Sequence, residues 1–228
     1  MLFPFFISLI GLFFLLVNSI RFYKTRKNKD VQYIIIMIYL IFLFVQELLC
    51  NIIGFCYPGS NFFLSHYYFI FQFIALSIFF YSLFSDVVLK RMILLFLISV
   101  LVLLAIQYYK TPDLYWRFNL LEIGTTSMLL IVYALIFLIR NFKTAKHNYL
   151  FFCNGLIIYL ASSLSIFLSG NTDWVIFTEP FVLDLWFFNS LFYILYQFLI
   201  YKEWKDLNHK EVSKESDPAD TFDDPGKV

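Results

Sequence analysis

Charged side chains make up only 14% of this sequence, against 61% hydrophobic and 22% aromatic residues. A water-soluble domain carries about 25% charged and roughly 45–50% apolar residues. A chain of 228 residues has too little polar surface to cover such an apolar excess in water. That excludes a soluble globular domain and leaves a bilayer as the solvent. The net charge of +1 excludes a global field that recruits nucleic acid or acidic partners.

Cysteine is equally sparse. Cys50, Cys56 and Cys153 form no spacing that reads as a disulfide framework, so they count as small buried hydrophobes. Histidine occurs only as His66, His147 and His209. A three-histidine zinc site is thereby excluded, and neither a metal nor a cofactor is expected. G-x-S-x-G, P-loop and G-x-G-x-x-G motifs are missing. No lysine stands within the last apolar run, which excludes a retinal-type counterpart; Lys202 comes only at its end. The first apolar run has no basic segment before it and no small-x-small site after it. It is therefore a first span, not a cleaved signal.

What the sequence does hold is long apolar runs. A span needs about 20 such residues. Candidates fall at 2–20, 33–56, 62–85, 92–109, 117–140, 149–169 and 178–201. Breaks at Pro58-Gly59-Ser60-Asn61, Thr111-Pro112-Asp113 and Gly170-Asn171-Thr172-Asp173 separate them, and Thr178 with Pro180 reads as a helix start. Only helices or closed barrels satisfy backbone groups in lipid, and runs without period-two alternation are helices. The expectation is an all-α, polytopic transmembrane bundle of seven spans over residues 1–203. An acidic cytoplasmic tail over 204–228 should be disordered beyond about Asn208.

Basic residues orient it. One side carries Arg21, Lys24, Arg26, Lys27, Lys29, Lys90, Arg91, Arg140, Lys143, Lys146, Lys202, Lys205, Lys210, Lys214 and Lys227. The other carries Lys110 and Arg117 alone. The N-terminus is expected outside and the C-terminus in the cytoplasm. The loops 21–28 and 140–147 also match at Arg21/Arg140, Lys24/Lys143, Thr25/Thr144 and Lys27/Lys146. With a gap, Tyr33 falls on Tyr149 and Gly54 on Gly170. Two readings stand: compositional likeness of basic loops, or a 3+1+3 organisation with parallel repeats and the fourth span as linker.

Ionisable groups within spans cost about 2.5–3.5 kcal/mol each at a helix centre and call for a reason. Here they are Glu47, His66, Glu122 and Asp184. The topology sets all four in the outer third of the membrane. Asn51 and Gly54 share a helix face with Glu47, and Asn119 and Thr126 share one with Glu122. Ser162, Ser165 and Ser169 line one face of span six; Glu179, Trp186, Asn189, Tyr193 and Tyr196 form a stripe on span seven. Arg117 is the nearest cation. The candidate ligand-binding set is therefore Glu47, Asn51, His66, Arg117, Asn119, Glu122 and Asp184, expected in one cavity. The competing reading is a hydrogen-bonded network that only fixes helix packing.

His66-Tyr67-Tyr68-Phe69-Ile70-Phe71-Gln72, the stretch from Arg117 to Thr126, Gly155-Leu156-Ile157-Ile158-Tyr159 and the segment from Ile194 to Trp204 carry a resemblance. They resemble a group of uncharacterised bacterial seven-transmembrane inner-membrane proteins, some encoded near sensor histidine kinases. Gln72 stands where that group is expected to carry glutamate, so no proton-linked role is carried over to it. The resemblance implies the bacterial inner membrane, with membrane lipids and a membrane signalling partner as associates. The resulting expectation is an envelope sensing or signalling component with an outward-facing polar pocket and without a recognised enzymatic activity. A transporter of a small solute or lipid is the alternative, and an intramembrane lipid hydrolase the third.

Overall fold

A computed structural model describes residues 2–57, 61–117, 119–141, 148–169 and 185–215. These residues form seven α-helices and no strand: α1 (Leu2–Lys24), α2 (Val31–Cys56), α3 (Phe62–Leu83), α4 (Val87–Lys110), α5 (Leu120–Asn141), α6 (Leu150–Ser169) and α7 (Leu185–Glu215). A 3-10 turn, Pro112–Trp116, joins α4 to α5. Thr111 and Pro112 end α4 because proline supplies no amide donor to continue it. The breaks expected at 58–60 and 170–173 and the helix start at Thr178 and Pro180 lie outside the described residues.

Five helices, α1 to α5, are long and apolar enough to cross a membrane. At ~1.5 Å rise per residue, the 22 residues of α3 or α5 cover about 33 Å, close to the thickness of a bilayer core. Their outward faces are apolar. Phe6, Ile10 and Phe13 on α1 and Leu95, Ile98 and Val102 on α4 are exposed. Such surface is stable against lipid and not against water. The chain is a multi-pass helical membrane protein. The apolar part of α6 is shorter, Leu150–Ile166. Asn189, Tyr193, Tyr196 and Gln197 dilute the apolar character of α7.

Six helices close a ring. α1 packs on α2, α2 on α3, α3 on α5, α5 on α6, α6 on α7, and α7 back on α1. α4 stands outside it, against α3, the 3-10 turn and α5. Only Ile93 and Leu104 of α4 are buried. The core inside the ring is aromatic: Phe73, Phe79, Phe80, Phe152 and Tyr196 are fully buried. Phe79 meets Phe80, Tyr149 and Phe152 edge-on at 5.2–5.4 Å between centroids. Two glycines allow the ring to close tightly. A Cβ on Gly11 would lie 2.9 Å from the Tyr193 ring, and one on Gly155 the same distance from Tyr196. Lipid supplies no hydrophobic drive between helices, so this close approach carries much of the association.

The last helix differs from expectation. α7 runs on to Glu215, well past Asn208, so the segment after 203 begins as helix. Side chains on its continuation explain why. Leu207 is buried, and the Trp204 indole N–H donates to the Thr25 hydroxyl at 3.0 Å. Arg21 lies over the Tyr201 ring at 4.3 Å. Glu203, 1% exposed, reaches the start of α6, where its carboxylate accepts from the backbone N–H groups of Tyr149 at 2.5 Å, Phe151 at 2.8 Å and Phe152 at 3.2 Å. The first amides of a helix lack intrahelical acceptors, and here the neighbouring helix supplies one. Residues 216–228 lie outside the described residues.

Candidate functional site

The polar residues expected in one cluster fall on two sides of α3. Glu47 and Asn51 line a cavity inside the ring. His66, Asn119 and Glu122 lie together in a network between α3, α4 and α5, and none of them lines that cavity. Arg117 ends the 3-10 turn with its side chain exposed, and among the described residues it pairs with no acid. Asp184, like Glu179, lies outside the described residues. One helix faces both sites because neighbouring positions on it point about 100° apart: Ser65, Tyr68 and Phe69 turn to the cavity, and His66 turns away.

The network is dry. Glu122 is 0% and His66 4% exposed. The Glu122 Oε2 atom lies 3.1 Å from His66 Nδ1 and accepts from the Tyr108 hydroxyl, which itself lies 2.7 Å from that nitrogen. His66 Nε2 sits 3.2 Å from the Tyr115 carbonyl oxygen. A carbonyl only accepts, so Nε2 carries a proton. Asn119 starts α5: its side-chain oxygen accepts from the Glu122 backbone N–H at 3.3 Å, and its amide donates to Gln107 Oε1 at 3.0 Å. Thr126, on the same face, donates to the Glu122 carbonyl at 2.7 Å. The stripe Asn119, Glu122 and Thr126 is thus one buried face, as its spacing implies. Its partners Tyr108, Gln107 and Tyr115 come from the end of α4 and the turn after it.

The cavity has a volume of about 490 Å³, within the usual range of small-molecule sites. α2 contributes Gln46, Glu47, Cys50 and Asn51, and α3 contributes Asn61 from its start with Phe62, Ser65, Tyr68 and Phe69. α1 brings Ser8 and Gly11; α6 brings Tyr159; α7 brings Asn189, Ser190 and Tyr193. Spacing explains the α2 wall. Glu47, Cys50 and Asn51 stand at i, i+3 and i+4, and the Asn51 amide donates to the Glu47 carbonyl at 2.8 Å. Gln46 is held by the Leu64 carbonyl of α3 at 2.5 Å. Among the described residues no ion pair and no hydrogen bond engages the Glu47 carboxylate. Among the described residues no Lys, Arg or His lines the cavity.

Tyrosines close one side of it. The Tyr68 and Tyr159 hydroxyls meet at 2.9 Å. Tyr159 stacks on Tyr196 with ring centroids 5.3 Å apart and planes 2° from parallel. Buried polar pairs continue along the ring: Gln72 donates to the Tyr39 hydroxyl at 2.9 Å, and Asn18 donates to Gln197 Oε1 at 3.0 Å. The span-seven stripe is seen in Asn189, Tyr193 and Tyr196. Of the serine stripe of span six, Ser162 is half-buried and Ser165 is exposed and bonds back to the Ala161 carbonyl, while the Ser169 side chain lies outside the described residues. Serine satisfied by its own helix carries no obligation to face inward. No protein-family model matches the chain, and neither curated proteins nor solved structures yield a match.

Proposed function

We propose that the chain is a seven-span protein of the bacterial inner membrane, with its N-terminus outside. On this reading it binds a small molecule in an outward-facing pocket within its helix ring and acts as an envelope sensing component with a membrane signalling partner. The orientation rests on the asymmetry of basic residues. The pocket rests on one observation above all: a cavity of about 490 Å³ lined by Glu47, carboxamides and hydroxyls from five helices and closed by the Tyr68–Tyr159 pair. A polar cavity embedded among apolar helices is costly to keep unless it is used. A blind pocket that opens to one side suits detection.

Cys50 offers a direct test, because it lines the cavity. With Cys56 and Cys153 replaced, a membrane-impermeant thiol reagent added from the outside of oriented vesicles should modify Cys50. The same reagent confined to the inside should not. Equal protection from both sides would remove the pocket.

A transporter is the second reading, and the ring favours it. Rotating helices α1–α3 onto α5–α7 turns every neighbour pair in the ring into another neighbour pair, with α4 left outside as a linker. The matched residues agree with this: Arg21, at the end of α1, packs on α7, and Arg140, at the end of α5, bonds to Asp86 just after α3. The buried pairs Gln72–Tyr39 and Asn18–Gln197 extend polarity below the cavity. A cysteine at Gln72 that becomes reactive from the inside when the pocket is occupied would decide for transport. Lipid hydrolysis draws no such support. Among the described residues the one hydroxyl bonded to His66, that of Tyr108, is committed to Glu122 and Asn119 in a dry contact.

A further inference from the structure

Resting on the pocket reading above, we propose that the cavity takes a small organic monocation: a primary or secondary ammonium attached to an apolar body, with Glu47 as its counter-charge. The case is one of missing partners. Glu47 lines the cavity, and among the described residues nothing cationic faces it there. Elsewhere among the described residues, buried or half-buried acids have partners. Glu122 lies against His66, Asp86 against Arg140, and Glu203 accepts three backbone N–H groups. Glu47 stands apart as the membrane-embedded acid whose complement is left to a ligand.

The lining also sets the kind of cation. The rings of Phe62, Tyr68, Phe69, Tyr159 and Tyr193 contribute to the walls, and aromatic faces attract an ammonium while covering an apolar body. Two further lining residues carry a polar atom without a partner among the described residues: the side-chain oxygen of Asn189 and the hydroxyl of Tyr193, a residue 7% exposed. An N–H donor satisfies an amide oxygen; a quaternary ammonium has none. A bare metal ion fits poorly. No group of three or more His, Cys, Asp or Glu side chains able to hold one occurs among the described residues. A space of about 490 Å³ also far exceeds a single ion. An anion would meet Glu47 with no compensating cation among the described residues.

The test uses the full chain in detergent, with Cys50 as the only cysteine and its modification by a neutral thiol reagent as readout. Three probes of one shape are compared as protectants: phenethylammonium, phenethyl alcohol and 3-phenylpropionate. The expected result is saturable protection by phenethylammonium, slowing modification at least tenfold, with little from the other two. Glu47→Gln, which keeps shape and hydrogen bonding, should abolish that protection while leaving Cys50 reactive and the protein monodisperse. Protection by the alcohol equal to that by the ammonium, or protection unaffected by Glu47→Gln, overturns the cation while leaving the pocket standing. So does a reactive Cys50 that none of the probes protects. An unreactive Cys50 overturns the pocket reading and this inference together.

Discussion

At the scale of the residue, several polar groups within this bundle are satisfied in pairs, and removing one partner exposes the other. Glu122 shows this most clearly, because His66 and Tyr108 both depend on its Oε2 atom. Glu122→Gln keeps a donor for His66 Nδ1 and should lower stability by no more than about 1 kcal/mol. Glu122→Leu leaves His66 and Tyr108 facing an apolar group and should cost about 1–3 kcal/mol. Thermal unfolding in mild detergent measures both. Equal losses would mean that the carboxamide does not replace the carboxyl here. Glu47 should behave in the opposite way. Among the described residues no partner depends on its carboxylate, so Glu47→Gln should leave stability unchanged or raise it in the same measurement.

At the scale of the element, helices are tied at their ends by side chains from other helices. The start of α6 depends on Glu203 of α7. Removing a helix N-terminal acceptor costs about 0.5–2 kcal/mol, so Glu203→Ala should destabilise by that order. The amides of Tyr149, Phe151 and Phe152 should then exchange with deuterium markedly faster. Unchanged exchange there would dismiss the carboxylate as the cap. The end of α5 is tied to the start of α4 through Asp86. Its carboxylate accepts from the Val88 N–H at 2.9 Å and from Arg140 at 3.2 Å. The Val88 amide first, and Arg140 second, hold the Asp86 carboxyl below the usual aspartate range. An acid with a depressed folded-state pKa stabilises the fold above its unfolded value and loses that contribution as pH falls through the folded one. The Asp86 contribution should therefore be constant near neutrality and disappear only in acid. A carboxyl titration followed by NMR should give Asp86 a midpoint below that of a free aspartate, shifted upward by Arg140→Ala.

At the scale of the whole molecule, the ring and its outlying helix define two ends. The orientation read from the basic residues predicts that a reporter after Lys205 is cytoplasmic and one at Asn61 external. A fusion series would reveal the reverse at once. The helical extension of α7 refines what the tail does. Leu207 is buried and Trp204 is bonded to Thr25, so truncation before Trp204 should reduce inserted protein, whereas removal of residues from 216 onward should leave it unchanged. Immunodetection in isolated membranes separates the two.

The helices and the break at Thr111-Pro112 were legible in the sequence, because long apolar runs and prolines act locally and lipid selects helix for any such run. The face shared by Asn119, Glu122 and Thr126 and that shared by Glu47 and Asn51 were legible for the same reason: both follow from the period of one helix. What could not be read was which faces meet. Glu47 and Glu122 stand at similar expected depths, and only the packing of α3 between them assigns one to a cavity and the other to a dry bond with His66. Tyr108 as the partner of Glu122 and Glu203 as the cap of α6 were hidden too, since each acts across helices distant in sequence. Helix period and solvent preference are properties of a segment. Ring closure, the placing of α4 outside it and the isolation of Glu47 depend on how several segments pack, and tertiary structure alone decided them.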